Sequence, residues 1–537
     1  MNTNTMPAIA GAVNTPQSTP PKMSSTAQSK VVDLAETRRK KLLDQEAESI
    51  GRHSLDREGN RKPPSLQTLY ARRLISGLDG QWACQSNEGT GELAHLWNGS
   101  YWKAVQDAVG IGLASDWVDE HADFAGGPHV VKACWDHALV RLRQKSPMPK
   151  PSPRALIPME DGYVEILPEG KGLRVVAPDP DLGMTHAIKL ACQTPVGQAY
   201  VPRPLPPQSR FAKFLAHAHD DPKTIALLQE QCGMTLLPGT YSSASWWYGQ
   251  AGSGKSTLAS IVEAMHRQVG RCNLETLGDR FSLEPLVGCS LILVDEVEAD
   301  RWAEGRFKSV VSGEGQGVDR KCKQQLASFR FLAKWIITSN NAPFVRDKSM
   351  GVWRRLIVVH WNKPVPANAH DPNLVEKILA EEGQLVLDWM LEGARRIVAR
   401  GRAMAEADPE FPEASRQAKL SARKGSDQVL AWIDADRVEK ADTWVAMPDV
   451  YAAFKAWGAR QGWSEYDMLT ARQFWIGMKA QNLDDGRRSN RRVGGRQVDC
   501  VCLRIVGPRV EPVAFDLCHE DTPYFDGGPQ HEDPEPS

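Results

Sequence analysis

The stretch Ser245-Trp-Trp-Tyr-Gly-Gln-Ala-Gly-Ser-Gly-Lys-Ser-Thr257 limits what this chain can fold into more than any other part of it. Within it Gly249, Gln250, Ala251, Gly252, Ser253, Gly254, Lys255 and Ser256 fit the spacing G-x-x-x-x-G-K-[ST] without a mismatch, and Thr257 follows. Glycines at 249, 252 and 254 let the backbone turn tightly, so that successive N–H groups face one concavity suited to anionic oxygens. Lys255 adds a point charge for outer phosphates, and the Ser256 hydroxyl can complete a magnesium shell. The flanks agree. Ser245–Tyr248 reads as a buried strand, and Thr257–Met265 carries apolar residues at helical spacing, so the loop opens a helix whose N-terminus favours phosphate. Strand, loop and helix in that order predict an α/β core with a nucleotide-phosphate site at 249–257.

Two further apolar runs end in groups that suit this site. Ser290–Glu296 (SLILVDE) reads as a parallel strand buried on both faces, with its carboxyl end beside the loop. Asp295 is placed to hold magnesium with Ser256, and Glu296 to orient and deprotonate an attacking water. A simple phosphotransferase has no need of the second acid, so the pair points to hydrolysis of a nucleoside triphosphate. Lys334–Asn341 (KWIITSNN) is a second buried strand, and the Asn340 amide suits a bridge between water and γ-phosphate. A third strand, Leu356–Trp361, follows Arg354 and Arg355. Either arginine suits charge stabilisation at a phosphoryl group on a neighbouring subunit. Between these strands, 307–329 reads as a hairpin whose Gly313–Gly317 turn precedes Arg320, Lys321 and Lys323, side chains placed for sequence-independent contacts with DNA phosphates.

The order of glycine loop, Asp-Glu strand, basic hairpin, Thr-Ser-Asn-Asn strand and Trp-Arg-Arg resembles the superfamily 3 helicases. It is more similar to the branch found in primase–helicase proteins of phages, plasmids and large DNA viruses. LWNGSYWKAV, ALIPMEDGYVEIL and RFAKFL…DDPKTIALLQEQCGMTL look like the region that precedes the helicase core in that branch. The resemblance covers roughly residues 70–360 and extends more weakly to about 506. It implies a P-loop NTPase core of AAA+-like type, ATP and Mg2+ as cofactors, and a homo-oligomer, a hexameric ring. It further implies 3′→5′ translocation on single-stranded DNA and a role in replication in the cytoplasm of a bacterial host. Residues 1–64 hold neither the clustered carboxylates nor the zinc-type cysteines that primer synthesis needs, so a separate primase or polymerase is the expected partner.

Composition adds limits. The apolar share of 41% supports sizeable cores, and a net charge of −1 means that any nucleic-acid surface is local. The 10 cysteines include no C-x-x-C pair, which argues for reduced thiols and against a zinc ribbon. No apolar run reaches the roughly 18 residues of a membrane span, so no membrane partner is expected.

The expected organisation is a basic, low-complexity tail at 1–64, an α+β domain at 65–207, and the ATPase core at 208–365 with a helical approach at 208–240. A helical collar at 366–435, a winged-helix domain at 436–507 and an acidic tail at 508–537 follow. Arg38–Lys41 reads as a solvated helix face, Asp179-Pro-Asp181 as a turn rather than a metal site, and His217 and His219 as helix surface. In the last folded segment Ala471–Gln481 is a candidate recognition helix. Arg487, Arg488, Arg491, Arg492 and Arg496 crowd one hairpin, where they suit a phosphate backbone, including that of an origin duplex. The tryptophans Trp432, Trp444, Trp457, Trp463 and Trp475 read as core. Two other functions fit the same residues: an ATP-regulated origin-binding initiator without unwinding, and a nucleotide-bound scaffold for replication partners.

Overall fold

The computed structural model describes residues 64–85, 93–121, 127–297, 302–321, 323–347, 350–366, 368, 370–484, 489–493 and 496–508. The Arg38–Lys41 run, read as a solvated helix face, lies outside them, as do Arg487 and Arg488. The chain is mixed α/β and divides into two compact units, one ending at Lys150 and the other running from Pro151.

In the first unit, α1 (Leu66–Ile75) begins where the Ser65 hydroxyl accepts the Thr68 N–H at 3.4 Å. Strands β1 (Trp82–Gln85), β2 (Leu93–Trp97) and β3 (Trp102–Val105) form an antiparallel sheet in that order. An Asn-Gly-Ser turn joins β2 to β3, and the Asn98 carboxamide oxygen accepts the Ser100 and Tyr101 N–H groups at 3.0 and 2.9 Å. Helices α2 (Asp107–His121) and α3 (Pro128–Lys145) supply Trp117 and Trp135 to a core shared with Tyr70 and Trp82. Gly110 admits the Trp135 ring, since a Cβ there would lie 2.3 Å from it.

The second unit opens with a four-stranded antiparallel sheet, β4 (Ala155–Pro158), β5 (Tyr163–Ile166), β6 (Leu173–Val176) and β7 (Ala199–Tyr200). Its apolar residues Ile157, Val164, Val175 and Tyr200 join one core with Phe211, Leu228, Leu258 and Met390. The structure thus groups 155–200 with the chain that follows, whereas the sequence joined it to 65–150. Asp179 accepts the Asp181 N–H at 2.9 Å and caps a single 3-10 turn, as a turn residue would. Among the described residues no cluster of His, Cys, Asp or Glu is arranged to hold a metal.

Helices α4 (Arg210–Ala218) and α5 (Pro222–Leu236) break where Asp221 caps α5 through the Lys223 and Thr224 N–H groups. The central sheet then forms from β8 (Ala244–Gly249), β9 (Val269–Arg271), β10 (Leu291–Asp295), β13 (Lys334–Ser339) and β14 (Leu356–Trp361). Helix α6 (Lys255–Met265) follows β8, and α7 (Glu304–Val311) leads to the hairpin β11 (Gln316–Arg320) and β12 (Lys323–Phe329). All neighbours in the five-stranded sheet are parallel, in the order β14-β8-β13-β10-β9. Its middle strands are almost wholly buried, which is why they read as unbroken apolar runs.

A short helix, α8 (Met350–Trp353), precedes β14, and the long α9 (Leu374–Arg400) lies against α5. Gly233 and Gly393 allow this approach: a Cβ on either would come within 2.4 and 2.1 Å of the facing backbone. Buried Glu230 spans the seam, accepting from Arg396 Nε at 3.1 Å and Arg400 Nη1 at 2.8 Å. Asp388 on α9 accepts from the Tyr200 hydroxyl at 2.5 Å and Arg203 Nε at 2.7 Å, which fixes β7 to the same helix.

The last part of the expected helical collar is two helices, α10 (Glu413–Ser426) and α11 (Gln428–Ala435), because Asp427 turns extended and caps the second through the Val429 N–H. Then come β15 (Val438–Ala446), α12 (Met447–Arg460), α13 (Ala471–Ala480), β16 (Ser489–Val493) and β17 (Arg496–Ile505), with sheet order β15-β17-β16. Strand β15 escaped the sequence reading because its charged residues mask its alternation. Trp432 and Trp457 are buried here with Phe454 and Phe474. Among the described residues no helix is long and apolar enough to cross a membrane.

Candidate functional site

The carboxyl ends of β8, β10 and β13 lie side by side, with Asp295 in register with Thr338 and Ser339 with Tyr248. The glycine loop leaves β8 here and turns into α6. Gly249, Gly252 and Gly254 take φ of 140°, 74° and 96°, which favours glycine at each. At Gly249 the need is also steric, since a Cβ would lie 1.9 Å from the Trp361 carbonyl oxygen. Lys255 is buried, and its Nζ donates to the carbonyls of Gly249 at 2.7 Å and Gln250 at 2.8 Å. Burial pushes this ammonium below its ordinary pKa. The Ser253 hydroxyl donates to Gln250 O at 2.8 Å, and the Val365 N–H to Gly252 O at 3.0 Å, so the loop is braced from both sides.

A cavity of about 340 Å3 opens over the loop, and its wall takes Ala251 through Thr257, Glu296, Thr338, Ser339 and Asn340. Residues from three separate strand ends thus converge as the sequence proposed. Glu296 holds a left-handed φ of 51° while its N–H donates to Thr338 O at 3.1 Å. Left-handed backbone costs a non-glycine residue about 1–3 kcal/mol, and Glu296 adopts it at the wall of the cavity.

Asp295 is placed differently. Its Oδ1 accepts from the Thr338 hydroxyl at 3.2 Å, and its Oδ2 is ion-paired to Arg271 Nη1. Arg271 Nη2 reaches Glu263 Oε2 at 2.6 Å. Nothing in the sequence marked Arg271, because its closeness to Asp295 comes from the β9–β10 pairing and not from chain proximity.

Arg354 and Arg355 line a separate cavity of about 700 Å3. They differ sharply in setting. Arg355 is buried and donates from Nε to Ser312 Oγ at 2.7 Å and from Nη1 to Gly351 O at 2.5 Å. Arg354 is exposed.

The hairpin forms with Arg320 opposite Lys323, so its tip is at Lys321 and not at Gly313–Gly317. Gly313, at φ 66°, follows the end of α7 instead. A neighbouring loop joins the tip: the Lys321 N–H donates to Glu284 Oε2 at 3.2 Å. In that loop Phe281 is 38% exposed with a left-handed φ of 69°, and the Arg280 guanidinium lies 5.0 Å from its ring centre. An exposed aromatic held in strained backbone beside basic residues was missed. Its one sequence signal is a phenylalanine next to arginine in a polar loop.

On the C-terminal sheet Arg491 and Arg492 are exposed. Arg491 lies 4.8 Å from the Trp444 ring centre and donates to Ser489 Oγ at 3.2 Å, so Trp444 is a surface partner and not core. Arg496 stands opposite Val493 on the same hairpin. On α13 Arg472, Gln473, Ile476 and Lys479 are exposed. His217 is exposed as expected, but His219 is buried, because α4 ends at Ala218 and the extended backbone turns the ring against Trp361, 4.6 Å between centres.

A family model described as "Family of unknown function (DUF5906)" matches residues 247–355, from the strand before the glycine loop to Arg355. Among solved structures, the chain is loosely similar to the apo structure of the NrS-1 C terminal region (305-718), at 13% identity and a TM-score of 0.46. That match covers 82% of this chain and 100% of the other. An A form apo structure of the same region matches over the same shares at 12% identity and a TM-score of 0.43.

Proposed function

We propose that the chain is an ATP-dependent DNA helicase of the superfamily 3 type, a ring-forming 3′→5′ translocase that serves phage or plasmid replication. The observation that carries this reading is the convergence of Lys255, Ser256, Glu296 and Asn340 on one cavity at the ends of parallel strands. Strand order β14-β8-β13-β10-β9 suits a P-loop core of AAA+-like type. The donor set fits a triphosphate with magnesium: a concavity of backbone N–H groups, one buried ammonium, and hydroxyl and carboxylate oxygens from Ser256 and Asp295 for a hard cation.

In this reading Lys255 exchanges its contacts with the Gly249 and Gln250 carbonyls for phosphate oxygens. Ser256 and Asp295 hold Mg2+, which supplies charge neutralisation at the phosphates. Glu296 takes the proton of the attacking water, and Asn340 orients that water by its side-chain amide. Arg354 of a neighbouring copy stabilises the developing charge, while Arg355, already bonded within its own chain, holds the turn that presents it. Lys321 and its hairpin, with Arg280 and Phe281 alongside, grip single-stranded DNA by phosphate contact and base stacking. The C-terminal helices and hairpin act as a winged-helix domain whose Arg491 and Arg492 straddle a duplex backbone.

ATP turnover of wild type and Glu296→Gln, with and without single-stranded DNA, tests the assignment. The variant binds ATP but turns over at least about 100-fold more slowly. Unchanged turnover would remove Glu296 as the base. Exposed Arg491, set over the half-buried Trp444 ring, favours one alternative, an origin-binding initiator, which binds duplex tightly and hydrolyses ATP without displacing a strand.

A further inference from the structure

The cavity over the glycine loop has two chemically different ends. One holds the loop with Glu296, Thr338, Ser339 and Asn340 and is mostly polar. The other is built by α4 and the start of α9 and carries Phe214, Val365 and Leu374, with His370 and Asp371 beside them. Inorganic phosphates have no use for an aromatic ring and two aliphatic side chains. A nucleobase does.

Phe214 is fixed beside the glycine loop. Its ring stacks on buried Phe211 at 6.3 Å, and Phe211 in turn meets Trp389 edge-on at 5.1 Å. The ring also reaches the loop itself, since a Cβ on Gly254 would lie 2.8 Å from it. Asp371 is equally constrained. Its Oδ1 accepts the Asn373 N–H at 3.0 Å and its Oδ2 the Lys377 ammonium at 2.6 Å, ahead of the first turn of α9. Those two donors hold its carboxyl below the usual carboxylate range, so it is ionised at neutral pH and can only accept. Each oxygen has a lone pair left for a further donor.

We infer that this end of the cavity is the base subsite: an adenine stacks on Phe214 between Val365 and Leu374, and Asp371 accepts a hydrogen bond from its exocyclic amine. The inference rests on the reading of 249–257 as a nucleotide site and adds how that site selects its base. An acceptor-only group facing the amine rejects a keto oxygen at the same position, so inosine triphosphate, which differs from ATP there, is disfavoured.

The test is equilibrium binding of ATP, inosine triphosphate, GTP and inorganic triphosphate, each with Mg2+, to the full chain and to Phe214→Ala, Phe214→Leu and Asp371→Asn. Wild type binds ATP about tenfold or more tighter than inosine triphosphate, the scale of one hydrogen bond to a charged group. Phe214→Ala and Phe214→Leu weaken ATP about tenfold, as loss of a stacking face would, and leave inorganic triphosphate unchanged, which also shows that the variants are folded. Asp371→Asn, which keeps an oxygen for the Asn373 N–H, erases the preference for ATP over inosine triphosphate. Equal binding of ATP and inorganic triphosphate by wild type, equal losses of both in Phe214→Leu, or a preference for GTP would overturn the subsite and leave the nucleotide site standing. No binding of any of the four by wild type would overturn both.

Discussion

Arg271 reaches across from the end of β9 to the end of β10 and pairs with Asp295, the carboxylate proposed to hold magnesium, while its other nitrogen holds Glu263. Mg2+ bound there would compete with Arg271 for one oxygen. Both partners are about half exposed, so the pair is weak and a divalent cation displaces it. Arg271→Ala is expected to lower the Mg2+ concentration for half-maximal ATP turnover by about threefold, with no change in melting temperature. An unchanged or raised magnesium requirement would show that the two do not compete.

The adjacent arginines 354 and 355 separate by experiment as they do by burial. Arg355→Ala removes the hydrogen bonds to the Ser312 hydroxyl and the Gly351 carbonyl and lowers stability by about 1–3 kcal/mol in urea titrations. Arg354→Ala leaves the urea midpoint in place and lowers turnover about 1000-fold, the range for loss of an arginine finger. Mixing Arg354→Ala with Lys255→Ala restores part of the turnover if the arginine acts on a neighbour's site. Full activity of Arg354→Ala alone would exclude it.

In the proposed function the hairpin and its flanking loop would contact DNA by different physics. Lys321→Ala reduces the dependence of single-strand affinity on log salt by about one unit, whereas Phe281→Ala weakens binding and leaves that slope unchanged. Identical slopes for all three proteins would remove the lysine from the phosphate backbone.

Buried histidines set the acid response of the second unit. His266 donates to or accepts from Ser290 Oγ at 2.9 Å and Thr235 Oγ1 at 3.0 Å, and burial pushes its pKa down to about 3. Burial likewise holds His186 and His219 at about 4. Unfolded histidine titrates near 6.5, so between these values the unfolded chain binds protons that the folded chain refuses. Stability is whole above about pH 6.5 and falls on acidification by about 1.4 kcal/mol per pH unit per ring. His266→Gln flattens the dependence between pH 7 and 5 by one proton. An equally steep curve in that variant would place the acid sensitivity elsewhere.

The α5–α9 seam gives the last prediction of this kind. Glu230→Gln leaves Arg396 and Arg400 without their shared carboxylate and costs about 3 kcal/mol in urea midpoint measurements. The exposed Glu413, which accepts from Arg416 and Gln417 on its own helix, tolerates the same change. Equal effects at both positions would mean that the seam does not depend on the ion triad.

The contrast between Glu296 and Arg271 explains what the sequence could and could not reveal. Groups at the ends of buried parallel strands were legible, because an apolar run names its own carboxyl end and parallel strands bring those ends together. Glu296 and Asn340 reach the cavity on that logic alone. Arg271, Phe214 and Asp371 come from elements whose places in space depend on the order of pairing, and no local pattern encodes it. The hairpin was found but its tip was misplaced, since glycines at 313, 315 and 317 resemble a turn while the reversal falls at Lys321. Grouping 155–200 with the preceding sheet failed for a related reason. Proline-rich joints on both sides made either partner plausible, and the choice is made by a core shared with Phe211 and Met390.

The most direct measurement is ATP-dependent strand displacement on duplexes with a 3′ or a 5′ single-stranded tail, by wild type and by Lys255→Ala. Displacement of the 3′-tailed duplex alone, lost in Lys255→Ala, is the result expected of a translocase driven from this cavity. DNA-stimulated hydrolysis without displacement of either duplex, or displacement that survives Lys255→Ala, would contradict it.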